Sequence, residues 1–381
     1  MTRLRAIALL APPPNTSASP RPLPAKRRSK PGKSCHRVRC DPCLPRSAIR
    51  PSRRTTSTVA PRSFTEPGTR SSAALAGDKL RIICGPTAAG KSSIALELAA
   101  EGNAAIVSAD SRQIYCYFNI GTAKPTREEC ARATHYGVDV VEPEQRYSAA
   151  RSAMEAEEWI ESAAEIDKTP VIVGGTGLYI KAFVEPLFHA PEIDPVQRAQ
   201  LENELENKSL QVLRDWCRSL DPSRAHLGRA QLVRAIETAI LTGSRISDLH
   251  AAHKATSSLE TTSQPAYLVV DPGPSLASRI ENRVAAMLNT GWAEEVRDLI
   301  DKVPADAPAW KASGYQAVRD HVEGRCDLST ARQRVIIETR QYAKRQRTWF
   351  RHQLPQSAVT HVNPEDSRSR AMVREWWERA E

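Results

Sequence analysis

Residues 80–98 read LRIICGPTAAGKSSIALEL: an apolar run, a glycine-bounded loop, then a run with apolar residues on one side. Within it, GPTAAGKS at 85–92 has the spacing G-x-x-x-x-G-K-[ST], which joins a strand to a helix and wraps a phosphate in backbone N–H groups. The loop comprises Gly85, Pro86, Thr87, Ala88, Ala89, Gly90, Lys91 and Ser92. Its amides and the start of the following helix supply fixed positive potential. Lys91 adds a full charge, and the Ser92 hydroxyl is suited to a Mg²⁺ ion. The motif does not say which phosphate is held.

The same strand–turn–helix rhythm continues down the chain. AAIVSAD at 104–110 reads as a second strand ending in an acid, and YGVDVVEP at 136–143 as a third. A helix is predicted over 149–166, a fourth strand over 169–177 into a glycine turn, and a fifth over 265–272. Alternation of this kind predicts an α/β fold, a P-loop NTPase-like parallel sheet flanked by helices, whose ligands sit at the carboxyl ends of the strands. Residues 85–92, 110–113 and 174–176 all fall at such ends. From about 190 to 258 the texture is helical, with Leu201, Leu205, Leu213, Trp216 and Leu220 recurring near the 3.6 period, then Val233, Ile236 and Ile240. This stretch reads as a helical insertion domain. It divides the core into 78–189 and 259–355, and leaves 356–381 as a C-terminal segment. Helices are predicted over 275–300 and 330–352.

Of 381 residues, 40 % are hydrophobic, enough for a buried core, and no apolar run is long enough to span a membrane. The net charge of +10 is concentrated in residues 1–77, which hold 16 Lys and Arg against only Asp41 and Glu66 and leave the remainder at −4. The basic pI therefore says little about nucleic-acid binding by the body. That Pro-, Ser- and Arg-rich tail is expected to be disordered. It reads as an RNA-touching basic arm, an organelle transit peptide, or sequence upstream of the true start. Cys35, His36, Cys40 and Cys43 provide four nominal zinc ligands but no folding segment between two pairs, so zinc is not expected. The scattered remaining cysteines suit a reducing, cytoplasmic compartment, or an organelle if the tail is a transit peptide.

Several stretches carry a resemblance. SADSRQIY…NIGTAKP at 108–125 is similar to the D-S-x-Q-x-Y…D-I-G-T-A-K-P segment of the tRNA dimethylallyltransferases, the IPP transferase family. HYGVDVVEPEQRYS at 135–148, PVIVGGTGLYIKA at 170–182, LVRAIETAILTG at 232–243 and GYQ…TRQYAKRQRTWFR at 314–351 follow in the matching order. The resemblance covers residues 80–351 and implies that the loop holds the diphosphate of dimethylallyl diphosphate. It implies transfer of the five-carbon group to N6 of an adenosine beside the anticodon of a tRNA. It further implies the tRNA anticodon stem-loop as partner; Mg²⁺ as cofactor, no membrane, and action as a monomer are expected beside it. Adenylate isopentenyltransferases share the loop but typically lack GTAKP. A P-loop kinase or ATPase is a further alternative.

An adenine amine is a weak nucleophile and benefits from a carboxylate to take its proton, an effect worth about 10²–10⁴-fold. Asp110 is the candidate base, with a turn-capping acid as its plainer role. Thr176 can bond either the bridging oxygen or the amine, and Arg283, in RIENRVAAML, resembles an arginine lining the diphosphate channel. Ser111, Arg112 and Gln113 are expected near the acceptor base. The resemblance also brings Arg198, Gln231, Arg234, Lys311, Gly314, Tyr315 and Arg345 to the tRNA. On the long helix, Arg340, Lys344, Arg347 and Arg351 fall within about 60° of one another at 100° per residue, while Val335, Tyr342 and Trp349 fall opposite. The first side is expected to meet phosphates and the second to pack on the sheet. Cys116, Gln231 and Gln316 replace basic residues common in the family, and Asn119 replaces an Asp.

Overall fold

The computed structural model describes residues 80–101, 103–185, 191, 193–257 and 265–379. The basic tail and its Cys35, His36, Cys40 and Cys43 lie outside the described residues. Six strands make one sheet: β1 (Arg81–Cys84), β2 (Ala104–Ser108), β3 (His135–Tyr136), β4 (Thr169–Gly174), β5 (Ala266–Val270) and β6 (Val359–Val362). Their order is β3-β2-β4-β1-β5-β6, and every pairing is parallel. β1, β2 and most of β4 and β5 are buried, as expected where helices cover both faces.

The helices are α1 (Lys91–Glu101), α2 (Arg127–Arg132), α3 (Ala149–Ala164), α4 (Gly177–Val184), α5 (Pro195–Glu206), α6 (Leu210–Leu220), α7 (Arg229–Thr242), α8 (Ile246–Ser257), α9 (Leu276–Asn289), α10 (Trp292–Ile300), α11 (Tyr315–Val322), α12 (Leu328–Gln353) and α13 (Ser369–Arg379). α5–α8 form a compact unit of their own around Leu201, Leu205, Leu213, Leu232 and Ile236. Asp194 and Ser209 cap α5 and α6 through the N–H groups of Val196 and Val212.

The sequence-based outline needs three corrections. The third strand stops at Tyr136, because Gly137 (φ 76°) and Asp139 (φ 54°) turn the chain; only a lone bridge from Tyr115 reaches Val141. The helix expected over 275–300 breaks at Gly291 (φ 101°) into α9 and α10. Residues 356–379 belong to the core: β6 pairs with β5, and α13 buries Val373, Trp376 and Trp377 in the cluster that holds Ile83 and Leu268. The Arg81 guanidinium lies 4.7 Å from the Trp377 ring, in contact with that helix. No helix among the described residues is long and apolar enough to cross a membrane.

Candidate active site

Register places the chemistry. Cys84 is opposite Gly174, and Ser108 opposite Val173, so the segments leaving β1, β4 and β2 emerge side by side at one sheet edge. Gly85, at φ 141°, passes so near β5 that a Cβ would lie 2.1 Å from the Val270 carbonyl oxygen. Ala88 and Gly90 also have positive φ, which curls the loop before α1 begins at Lys91. The Lys91 ammonium donates to the Pro86 carbonyl at 2.7 Å. Burial, with help from the nearby Arg283 charge, pushes Lys91 down to about 8 against the opposing pull of Asp110. Cys84 beneath it is pushed up to about 12 by burial and stays a thiol, so it is no nucleophile.

Asp110 follows β2. Its Oδ1 accepts the Arg112 N–H at 2.8 Å, so it does cap its turn while keeping a second oxygen for other work. Thr176 leads into α4, and its hydroxyl oxygen accepts the Ser111 N–H at 3.1 Å. The Ala109 N–H donates to Val173, and the Thr176 N–H to Ala109, which stitches the two turns together. Gly174 has no room for a side chain, since a Cβ would sit 2.2 Å from the Ala109 carbonyl oxygen. Arg283 comes in from α9; burial lowers its pKa and Asp110 raises it.

Two cavities meet here. One, of about 1080 Å³, runs over the 85–92 loop past Thr87, Lys91 and Ser92. The other, of about 530 Å³, is lined by Arg112, Thr176, Lys311, Arg345 and Trp349. Asp110, Arg283, Tyr342 and Gln346 border both. The face of α12 expected to pack on the sheet also lines the site, through Val335, Tyr342 and Trp349, while Trp349 packs against the core cluster that holds Ile82 and Ile172. Burial, then the charge of Asp110, pushes the Tyr342 phenol up to about 12, which keeps it a hydrogen-bond donor at neutral pH.

Among residues expected at the RNA, the structure gives several another task. Gln113 accepts from the Ser108 hydroxyl and donates to the carbonyls of Thr122 and Ala123, so its amide holds the GTAKP loop rather than a base edge. Tyr315 is fully buried, donates to Glu295 at 2.7 Å and accepts the Gly121 N–H at 3.1 Å. Gly314 (φ 85°) is wedged against Trp292 and Val335. Arg347 makes a two-pronged pair with Asp271 at 2.8 and 2.5 Å and donates to the Gly273 carbonyl. Arg340 pairs with Glu281. Arg198 pairs with Glu202 and with the buried Glu237 of its own helical unit. Lys344, Arg345, Arg351, Lys311 and Arg234 are exposed. Cys116 is buried, so a basic residue there would not face RNA; Gln231 closes the start of α7, and Gln316 donates to Asp320.

Sequence reasoning missed Tyr342 and Gln346 as site residues. Gln346 accepts the Thr87 N–H and donates to the Gly175 carbonyl, both at 2.8 Å. Its neighbours in AKRQRTW are charged, so nothing local marks it as the buried one. For Mg²⁺, no cluster of three or more His, Cys, Asp or Glu is present among the described residues. The Ser92 hydroxyl and the carboxylate of Asp110 line the larger cavity. That sparse set suits an ion that keeps most of its waters and takes oxygens from a bound phosphate.

The sequence profile of the IPP transferase family matches residues 113–353. A tRNA dimethylallyltransferase of Cyanothece sp. is 36 % identical over 295 residues, covering 76 % of this chain and 93 % of that protein. One from Geobacter sulfurreducens is 38 % identical over 283 residues, covering 72 % and 89 %. The crystal structure of the tRNA delta(2)-isopentenylpyrophosphate transferase of Staphylococcus epidermidis is 30 % identical, with a TM-score of 0.55 over 79 % of this chain and 97 % of that one. A eukaryotic dimethylallyltransferase acting on tRNA, at 23 % identity and a TM-score of 0.62, shares the fold.

Proposed function

The chain belongs to the IPP transferase family, and on that footing we propose that it is a tRNA-modifying prenyltransferase. It moves the dimethylallyl group of dimethylallyl diphosphate to N6 of the adenosine on the 3′ side of the anticodon and releases diphosphate. The observation that carries this reading is the shared wall of the two cavities. Asp110 and Arg283 stand between a chamber lined by the phosphate loop and one edged with Lys311, Arg345 and Trp349.

The donor's diphosphate lies along the loop amides, Lys91 and Arg283. As the allylic C–O bond breaks, charge grows on the bridging oxygen. Preorganised donors answer it there, one such donor being worth about 2.7–4 kcal/mol. Thr176, on the acceptor side of Asp110, offers its hydroxyl to the bridging oxygen or the amine. As the C–N bond forms, the open oxygen of Asp110 takes the proton from N6. A Mg²⁺ ion would be held through the Ser92 hydroxyl and would supply further charge neutralisation to the leaving group. The adenine must leave its stack to enter the smaller chamber, at a cost of a few kcal/mol, and Trp349 and Tyr342 provide aromatic surface to receive it. Phosphate contacts from exposed Lys344, Arg345 and Arg351 orient the RNA without reading its sequence.

The test mixes the chain, Mg²⁺ and dimethylallyl diphosphate with an unmodified tRNA carrying adenosine 3′ of its anticodon, or with adenosine monophosphate. Mass spectrometry follows the gain of one C₅H₈ unit. Gain on that adenosine of the tRNA is the expected result. Gain on the monophosphate alone moves the chain to a small-molecule acceptor, and ATP hydrolysis with no gain on either acceptor refutes prenyl transfer.

A further inference from the structure

We infer that Gln346 is a positioning residue that fixes the separation between the donor's phosphate loop and the acceptor's catalytic turn. The inference rests on the prenyl-transfer reading and adds a determinant of its geometry.

Gln346 is 6 % exposed in the middle of α12, an unusual place for a polar side chain. Its two ends serve different loops. Oε1 accepts the N–H of Thr87, 259 positions away, and Nε2 donates to the carbonyl of Gly175, 171 positions away. From there a line of bonds runs to the base. Gly175 precedes Thr176, whose hydroxyl oxygen takes the Ser111 N–H at 3.1 Å, and Ser111 follows Asp110. The loop that grips the leaving group and the carboxylate that takes the proton are thereby referred to one carboxamide.

The fit leaves no slack. A Cβ at Gly175 would lie 2.2 Å from Nε2, and one at Gly177 would lie 2.3 Å from the Trp349 ring, one helical turn further along. Gly175 and Gly177 are therefore required by the approach of α12. The energetics point the same way. The gain from two neutral hydrogen bonds is offset by the entropy lost in ordering a glutamine side chain, so the clamp adds little net stability. What it supplies is placement, where an error of about 1 Å between reacting atoms can cost about 10²-fold. The Thr87 N–H is also drawn away from the phosphate, which leaves Lys91, Arg283 and the remaining amides to hold it.

Only Gln meets both demands. Glu keeps the size and the acceptor for Thr87 but meets Gly175 with a second acceptor and brings a negative charge toward the diphosphate. Leu keeps the volume and loses both bonds. Asn is one methylene too short to span them.

The experiment compares wild type, Gln346→Leu and Gln346→Glu for thermal melting, titrated active-site fraction, inhibition by inorganic diphosphate, and kcat and KM for each substrate. Expected for Gln346→Leu are a diphosphate inhibition constant at least fivefold weaker and a kcat at least tenfold lower per active site, with the tRNA KM within twofold. Gln346→Glu should weaken diphosphate still more. If the Leu variant does not fold, the Glu variant carries the test alone. Folded variants with wild-type kcat and diphosphate inhibition overturn the inference. So does a loss confined to the fraction of active sites, the signature of a merely structural residue. A wild-type chain that binds diphosphate but transfers no prenyl group refutes the function, while diphosphate affinity still tests the clamp.

Discussion

Lys91 offers a pH test of the donor site. Burial and the Arg283 charge hold it at about 8 in the free protein. The ammonium form is the one that binds a diphosphate, and a bound anion raises its pKa. Below about pH 8 the binding form predominates and affinity is flat; above it, each binding event must first take up a proton. From pH 7 to pH 9 the ammonium fraction falls from about nine-tenths to about one-tenth, so the dissociation constant for dimethylallyl diphosphate should rise about tenfold, or about 1.4 kcal/mol. Calorimetry without tRNA avoids turnover. Titration of the ligand itself works in the opposite direction, since a more ionised diphosphate binds cations better. Lys91→Arg separates the two, because its guanidinium stays charged across the range. The ratio of affinities at pH 7 and pH 9 should be about tenfold larger for wild type than for the Arg variant. An identical ratio in both would refute the assignment of Lys91 as a titrating diphosphate ligand.

Three further predictions concern residues expected at the RNA. Tyr315→Phe removes a hydroxyl from the half-buried Glu295 carboxylate and leaves the Gly121 N–H unpaired; urea unfolding should show a loss of about 1.5–3 kcal/mol, with tRNA affinity within twofold. Replacing both Lys344 and Arg345 with Ala should weaken tRNA binding and lower the slope of log affinity against log salt by about 2. Arg347→Ala, by contrast, should leave that slope unchanged and instead lower stability, through Asp271 losing its partner, as filter binding and melting would report.

What was legible in the sequence follows from how local each signal is. The strand–turn–helix around 85–92 was readable because its strand, glycines, lysine and helix are contiguous. Asp110 and Thr176 were readable because parallel strands deliver their carboxyl ends to one edge, and both residues sit just past such ends. The long helix gave its stripes correctly but not their duties. Periodicity separates Arg347 from Tyr342, yet nothing local says that Asp271 and Glu281 wait opposite Arg347 and Arg340, or that the apolar side faces a cavity. Tyr315 reads the same whether it stacks on a base or fills a core; Glu295 and Gly121, distant in sequence, decide it. β6 was missed because VTHV is short and only one of its residues is buried. Gln346 was beyond sequence reasoning, since both of its partners lie more than a hundred residues away.

The central claim is that Asp110 takes the proton from the acceptor amine at the junction of the two cavities. Its most direct test is single-turnover prenyl transfer by Asp110→Ala alongside equilibrium tRNA binding by the same protein. A base predicts at least a hundredfold slower transfer with tRNA affinity within twofold of wild type. Parallel losses in transfer and binding would contradict it, and would leave Asp110 as the cap of the turn it also closes.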